Sequence, residues 1–211
     1  MKETMIKICG LRREADVLAV NGLRPQFAGF VLVPASRRYV APEQARRLRE
    51  RLDPGIRAVG VFADEEPAAV AALLNSGTID LAQLHGHEDA GYLARLRAET
   101  DKPLIQAFRV RCREEAERAE ASAADWILLD AGAGDGKTFD WSLAGGMRRP
   151  YFLAGGLDPG NVRAALEALR PFGADVSSGV ETDGEKDIGK MRAFVQAVRA
   201  AGNPAGEGEG R

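Results

Sequence analysis

Eight alternations of a short apolar run with a helical pattern predict a single α/β domain closed into a (β/α)₈ barrel. Two observations carry that prediction. The strand-like runs are continuously apolar rather than alternating, as in parallel strands whose outer face is covered by helices. The connections between runs are short, as in successive β/α units. An open doubly wound sheet is the alternative, and it would carry a Gly-rich dinucleotide turn after the first strand. Cys9-Gly10-Leu11-Arg12 is not such a turn. At 211 residues the chain makes a compact barrel, against a usual size of ~250 residues.

The elements follow in order. Met5–Cys9 is the first strand; Lys7 and Cys9 share the face toward the interior, and Ile6 and Ile8 face the helices. A helical pattern runs from about Arg12 to Asn21, with Gly22 as its C-terminal cap. Phe27–Val33 is the second strand, and Pro42 occupies the first turn of the next helix. Ile56–Phe62 is the third strand, followed by a helix opened by Pro67 and ending near Asn75 and Gly77. Asp80–His85 is the fourth strand, with a helix from Glu88 to about Ala98. Pro103–Phe108 is the fifth, and a charged helix spans Arg113–Ala121. Trp126–Asp130 is the sixth, separated by the Gly-rich segment Gly132 to Gly136 from a short helix near Trp141. Tyr151–Ala154 is the seventh, with Asp158-Pro159 as N-cap and first helical position. Ala174–Ser177 is the eighth, and the last helix covers Asp187 to Arg199. The barrel domain therefore spans residues 1–201. Residues 202–211, rich in Gly and Glu, bury too little to repay ordering and are expected to be a disordered tail.

Composition narrows the function classes. A net charge of −2 with both signs interspersed leaves no basic footprint for nucleic acid. No apolar run approaches the ~20 residues needed to cross a bilayer. Met1-Lys2-Glu3-Thr4 lacks a hydrophobic signal core. Cys9 and Cys112 are too few and too far apart for a disulfide scaffold, so a reducing, cytoplasmic location is expected. The two histidines, His85 and His87, have no acidic residue at ligand spacing, and no metal is expected.

Polar residues gather at the carboxyl ends of the strands. Gly155-Gly156 after strand seven and Ser177-Ser178-Gly179 after strand eight fit a phosphate site, because barrels commonly hold phosphate in those two loops. Asp130 ends strand six, where a semi-enclosed carboxyl group can act as a general acid. Cys9 ends strand one beside Lys7, whose ammonium would stabilise a thiolate acting as base or nucleophile. Strand order places Cys9 and Asp130 on either side of the phosphate loops. Gln83 and His85 share the inward face of strand four and are expected to contact substrate. Arg38, on the loop after strand two, is suited to clamp a carboxylate. The run Gly132 to Thr138 is one residue short of a nucleotide-binding P-loop and reads instead as a lid.

Taken together, Lys7-Ile8-Cys9-Gly10, Ser36-Arg37-Arg38-Tyr39-Val40, Val59-Gly60-Val61-Phe62, Gln83-Leu84-His85-Gly86, Leu128-Leu129-Asp130, Gly136-Lys137-Thr138-Phe139-Asp140-Trp141, Leu153-Ala154-Gly155-Gly156-Leu157 and Asp175-Val176-Ser177-Ser178-Gly179-Val180-Glu181 resemble the phosphoribosylanthranilate isomerase family. The resemblance runs from Lys7 to Val198 and touches most strand ends. It implies a TIM barrel of the phosphate-binding type that performs a cofactor-free step of tryptophan biosynthesis. That step is the Amadori rearrangement of N-(5-phosphoribosyl)anthranilate to 1-(2-carboxyphenylamino)-1-deoxyribulose 5-phosphate. It further implies Asp130 as general acid toward the ring oxygen and Cys9 as general base at C2. Arg38 would pair with the anthranilate carboxylate and Asp175 would orient the sugar. The expected partner is a small phosphorylated aminosugar, with the protein a monomer or homodimer. Two rival readings fit less well: the histidine-pathway isomerase on the same barrel, because strand one here ends in Cys9, and a non-catalytic phosphate-binding scaffold, which would gain nothing from keeping both a thiol and an acid.

Overall fold

The protein was analysed as a computed structural model, which describes residues 3–130 and 146–202. Eight parallel strands close in chain order: β1 Met5–Cys9, β2 Phe27–Val31, β3 Arg57–Phe62, β4 Leu81–Leu84, β5 Leu104–Arg109, β6 Trp126–Asp130, β7 Tyr151–Ala154 and β8 Gly173–Val176. Closure comes from β1 pairing with β8, where Lys7 lies opposite Asp175, and with β2, where Cys9 lies opposite Gly29. The predicted barrel is therefore present. The lid segment and the short helix near Trp141 lie outside the described residues, as does the tail beyond residue 202.

The helices are α1 Glu14–Leu23, α2 Pro42–Arg51, α3 Pro67–Asn75, α4 Ala90–Glu99, α5 Arg113–Glu120, α6 Val162–Leu169 and α7 Ile188–Gly202. Pro42 and Pro67 open α2 and α3, where a missing N–H costs nothing. Two helix ends differ from expectation. Gly22 lies inside α1, which continues to Leu23 and is capped by Arg24 in the left-handed conformation. Asp158-Pro159 does not start α6. The Asp158 carboxylate instead accepts from the N–H groups of Gly160 and Asn161 at 2.6 and 2.9 Å, and this local turn delays the helix to Val162. No described helix is long and apolar enough to cross a membrane.

Strand alternation sorts the side chains into two cores. Ile6, Ile8, Phe30, Leu84, Leu129 and Val176 face outward and pack on helix residues such as Val17, Leu48, Leu74 and Phe194. Phe27, Val59, Leu81, Ile105, Leu128 and Phe152 fill the interior. Full burial stabilises each such side chain by roughly 1.5–3 kcal/mol, so these two layers hold the rim in place. At the amino-terminal end Phe27, Trp126, Phe152 and Phe172 form an aromatic plug, with the Arg57 guanidinium 4.4 Å from the Phe27 ring centre. The barrel is shut below and open above.

One further element follows the eighth strand. After β8 a 3₁₀ turn, Ser178–Val180, leads into an antiparallel hairpin of β9 Glu181–Thr182 and β10 Glu185–Lys186. Asp183 and Gly184 both have positive φ, 51° and 80°, as a two-residue hairpin turn requires.

Candidate active site

The open end holds a cavity of about 590 Å³. Cys9, Arg38, Gln83, His85, Asp130, Gly155, Gly156, Asp175, Ser177 and Ser178 all line it, so nearly every residue singled out from sequence converges on one site. Gly179 is not among the lining residues, and its glycine identity has a steric reason. A Cβ there would lie 1.9 Å from the Leu157 carbonyl oxygen, so only glycine lets the 3₁₀ turn after β8 press against the loop after β7. The two turns are thus packed as one unit. Gly155 and Gly156 have φ of 89° and 66°. Among the described residues, the N–H groups of Gly155, Gly156 and Ser178 have no backbone acceptor. Donors of this kind at a cavity wall suit an anion.

Cys9 ends β1 and clusters on the inner face with Val31 of β2 and Val61 of β3. Its placement depends on Gly29 of β2, where a Cβ would come within 2.7 Å of the Cys9 sulfur. A glycine in mid-strand, as at Gly29, is the sequence signal for such close approach. Lys7, one step below on the same face, is fully buried and donates to Asp175 Oδ1 at 2.9 Å. Burial alone would depress the Lys7 ammonium, but Asp175 and Cys9 outweigh it and hold it above its ordinary value.

Lys7 does act on Cys9 in the expected direction, favouring the thiolate, but burial outweighs it. Burial pushes the Cys9 thiol up, Asp175 adds to the rise, and Lys7 and Lys186 only partly oppose it. The resting site therefore favours the neutral thiol. In a Cys112→Ser background, alkylation of Cys9 by iodoacetamide should be slow near neutral pH. Its rate should still climb about tenfold per pH unit past the ordinary thiol value of 9.0. A rate that levels off below that value would mean Lys7 outweighs burial.

Asp130 sits at the carboxyl end of β6, partly exposed to the cavity, with His85 Nε2 3.3 Å from its Oδ2. That approach lacks hydrogen-bond geometry. His85 Nε2 and Gln83 Oε1 are buried polar atoms with no hydrogen-bond partner among the described residues. Gln83 Nε2 and His85 Nδ1 lie 3.3 Å apart. Unsatisfied buried groups at a cavity are costly unless something arrives to meet them, which fits the expected substrate contacts.

Arg38 is not a free cation. Its Nε and Nη2 donate to Glu181 Oε1 and Oε2 at 2.6 and 2.8 Å. Burial would raise the Glu181 carboxyl, but hydrogen bonds from Arg38 and Lys186 overcome this and hold it down to about 2. Glu181 and Lys186 were given no role from sequence, and Arg109 and Arg111 also line the cavity without having been singled out. Among the described residues no cluster of three or more His, Cys, Asp or Glu could hold a metal ion.

The N-(5′-phosphoribosyl)anthranilate (PRA) isomerase family model matches residues 6–197. The N-(5′-phosphoribosyl)anthranilate isomerase of Endomicrobium trichonymphae is 42% identical over 200 residues, covering 92% of this chain and 98% of its own. The crystal structure of phosphoribosyl anthranilate isomerase from Thermotoga maritima superposes with a TM-score of 0.87 at 36% identity. It covers 93% of this chain and 99% of that one. A phosphoribosyl anthranilate isomerase in complex with reduced 1-(o-carboxyphenylamino)-1-deoxyribulose 5-phosphate superposes at 0.83, again 36% identical with 93% and 99% covered.

Proposed function

The chain belongs to the N-(5′-phosphoribosyl)anthranilate isomerase family, and from that premise we propose how its own residues carry out the rearrangement in tryptophan biosynthesis. The observation that carries the reading is the shared cavity. Cys9 and Asp130 both line it, and the turns after β7 and β8 stand between their strands in the barrel order.

The 5′-phosphate docks on the N–H groups of Gly155, Gly156 and Ser178, which anchors the sugar between thiol and carboxyl. Asp130, protonated, gives its proton to the furanose ring oxygen as the C1–O bond breaks. The nitrogen lone pair forms the C=N bond, leaving a cationic Schiff base. That new positive charge, together with Lys7, favours the thiolate that burial disfavours in the empty site. Cys9 then takes the C2 proton, and the C–H electron pair neutralises the iminium to an enolamine. Tautomerisation gives the ketone, and proton exchange through water restores Asp130 and Cys9. Asp175, held by Lys7, orients the sugar, and Gln83 and His85 supply further polar contacts. A cytoplasmic location belongs to the same reading; phosphorylated substrates stay where they are made, and both cysteines are free thiols.

The direct test follows loss of substrate fluorescence with purified protein, with the histidine-pathway substrate run alongside. Protein that binds the anthranilate substrate without consuming it would favour a scaffold. Arg38 has its own test. Truncating one partner of a buried charged contact costs ~2 kcal/mol or more, roughly 30-fold in affinity. Arg38→Ala should therefore raise KM by about that factor, with kcat changing by less than about threefold. An unchanged KM would place the carboxylate contact elsewhere.

A further inference from the structure

Glu181 lies just outside the cavity wall, with a side chain only 5% exposed and three cations around it. Besides Arg38, Lys186 Nζ donates to Oε1 at 2.8 Å and Arg37 Nη2 to Oε2 at 2.9 Å. A guanidinium offers a carboxylate two edges, the side edge Nε/Nη2 and the end edge Nη1/Nη2. Glu181 occupies the side edge of Arg38. The end edge stays available, its plane already fixed, on a residue that lines the cavity.

The second arm runs through Lys186. The same ammonium that meets Glu181 donates to the Ser177 carbonyl at 2.8 Å, and the Ser177 hydroxyl donates to the Cys9 carbonyl at 3.1 Å. One carboxylate thus joins the loop after β2 to the turn after β8 and the end of β1. The charge count points to a ligand. Three cations, the exposed Arg37, the mostly covered Arg38 and the buried Lys186, share a single carboxylate, so positive charge is left over beside the cavity. Retaining buried cations in excess of their partners is costly unless an anion completes the set.

We propose that Glu181 is a positioning residue that presets both anionic subsites. It aims the end edge of Arg38 at the substrate carboxylate, and through Lys186 it fixes the phosphate turn after β8. The site then selects ligands whose carboxylate and phosphate sit at one set separation. This deepens the reading given above and rests on Arg38 as the carboxylate contact.

The test measures dissociation constants of two ligands: reduced 1-(o-carboxyphenylamino)-1-deoxyribulose 5-phosphate, and the same compound without its ring carboxylate. Their ratio is the carboxylate preference, and it does not depend on how much of a variant is folded. Arg38→Ala should abolish the preference. Glu181→Gln should cut it at least about tenfold, and the double variant should lose little more, because both act on one contact. The decarboxylated ligand should weaken severalfold in Glu181→Gln and in Lys186→Met but not in Arg38→Ala, which reports the phosphate arm separately. Glu181→Asp keeps the charge but withdraws it by one methylene, and should fall between; it carries the same test if Glu181→Gln does not fold. Glu181→Gln keeping the wild-type preference while Arg38→Ala loses it would overturn the proposal alone. Arg38→Ala keeping the preference would overturn the reading of Arg38 and this proposal with it.

Discussion

Replacing Cys9 by alanine is expected to lower kcat by about 10³-fold or more, within the ~10²–10⁴ that a positioned proton-transfer group supplies. Affinity for the reduced product analogue should stay within about threefold, because the thiol is asked to move a proton rather than hold the ligand. The packing argument permits that separation. The substitution removes one sulfur from the small inner cluster of Val31 and Val61, whose other neighbours are unchanged. Gly29 already keeps the opposite strand clear of that position, so the alanine meets no new contact. Steady-state kinetics paired with analogue titration decide the matter. Near-normal turnover in Cys9→Ala would remove the thiol from the base role. A parallel loss of turnover and analogue affinity would make Cys9 a packing residue instead.

Much of this site is written locally in the chain, and the parts that are not share a physical reason. A typical barrel strand is a largely apolar segment of four to six residues, broken by at most a few polar side chains such as Lys7 and Gln83. Its last polar side chain therefore marks the rim, and Cys9 and Asp130 could be placed from that alone. Pro42 and Pro67 likewise mark helix starts through a property of single residues. The two helix ends that differ from expectation have local causes: Arg24, two residues past Gly22, takes the left-handed cap of α1, and the Asp158 turn delays α6. The hairpin at Glu181–Lys186 is a different case. Asp183-Gly184 is a recognisable turn signal, but strands of two residues carry no alternation to support it. What holds the hairpin is tertiary: Arg12 and Arg13 reach Glu185, and Arg37 and Arg38 reach Glu181. Partners more than 140 residues apart leave no local trace. The raised Cys9 thiol is hidden for the same reason, since desolvation is a property of the closed barrel and not of Lys7-Ile8-Cys9.

Lys7→Met should cost about 3–5 kcal/mol of stability, the usual result of removing one partner of a buried ion pair. For a domain stable by roughly 5–15 kcal/mol this is a large fraction, readable as a lowered denaturation midpoint. The cause is Asp175. Lys7 is fully buried and Asp175 nearly so, and with the ammonium gone the carboxylate keeps its desolvation cost without its 2.9 Å partner. Methionine approximates the lysine stem, so little of the loss should come from a cavity. Removing the orphan as well, in Lys7→Met/Asp175→Leu, should recover much of the stability, because two apolar groups at this largely buried pair need no partner. Turnover should not recover with it. The double variant lacks the group proposed to orient the sugar, and Cys9 has lost the cation that most opposes its upward shift. Its alkylation should be slowed further in Lys7→Met than in the parent. If Lys7→Met unfolds at the parent midpoint, the pair is not what braces the barrel centre. If the double variant regains both stability and turnover, Lys7 and Asp175 serve the fold alone, and the thiol must draw its charge from the substrate without help from beneath.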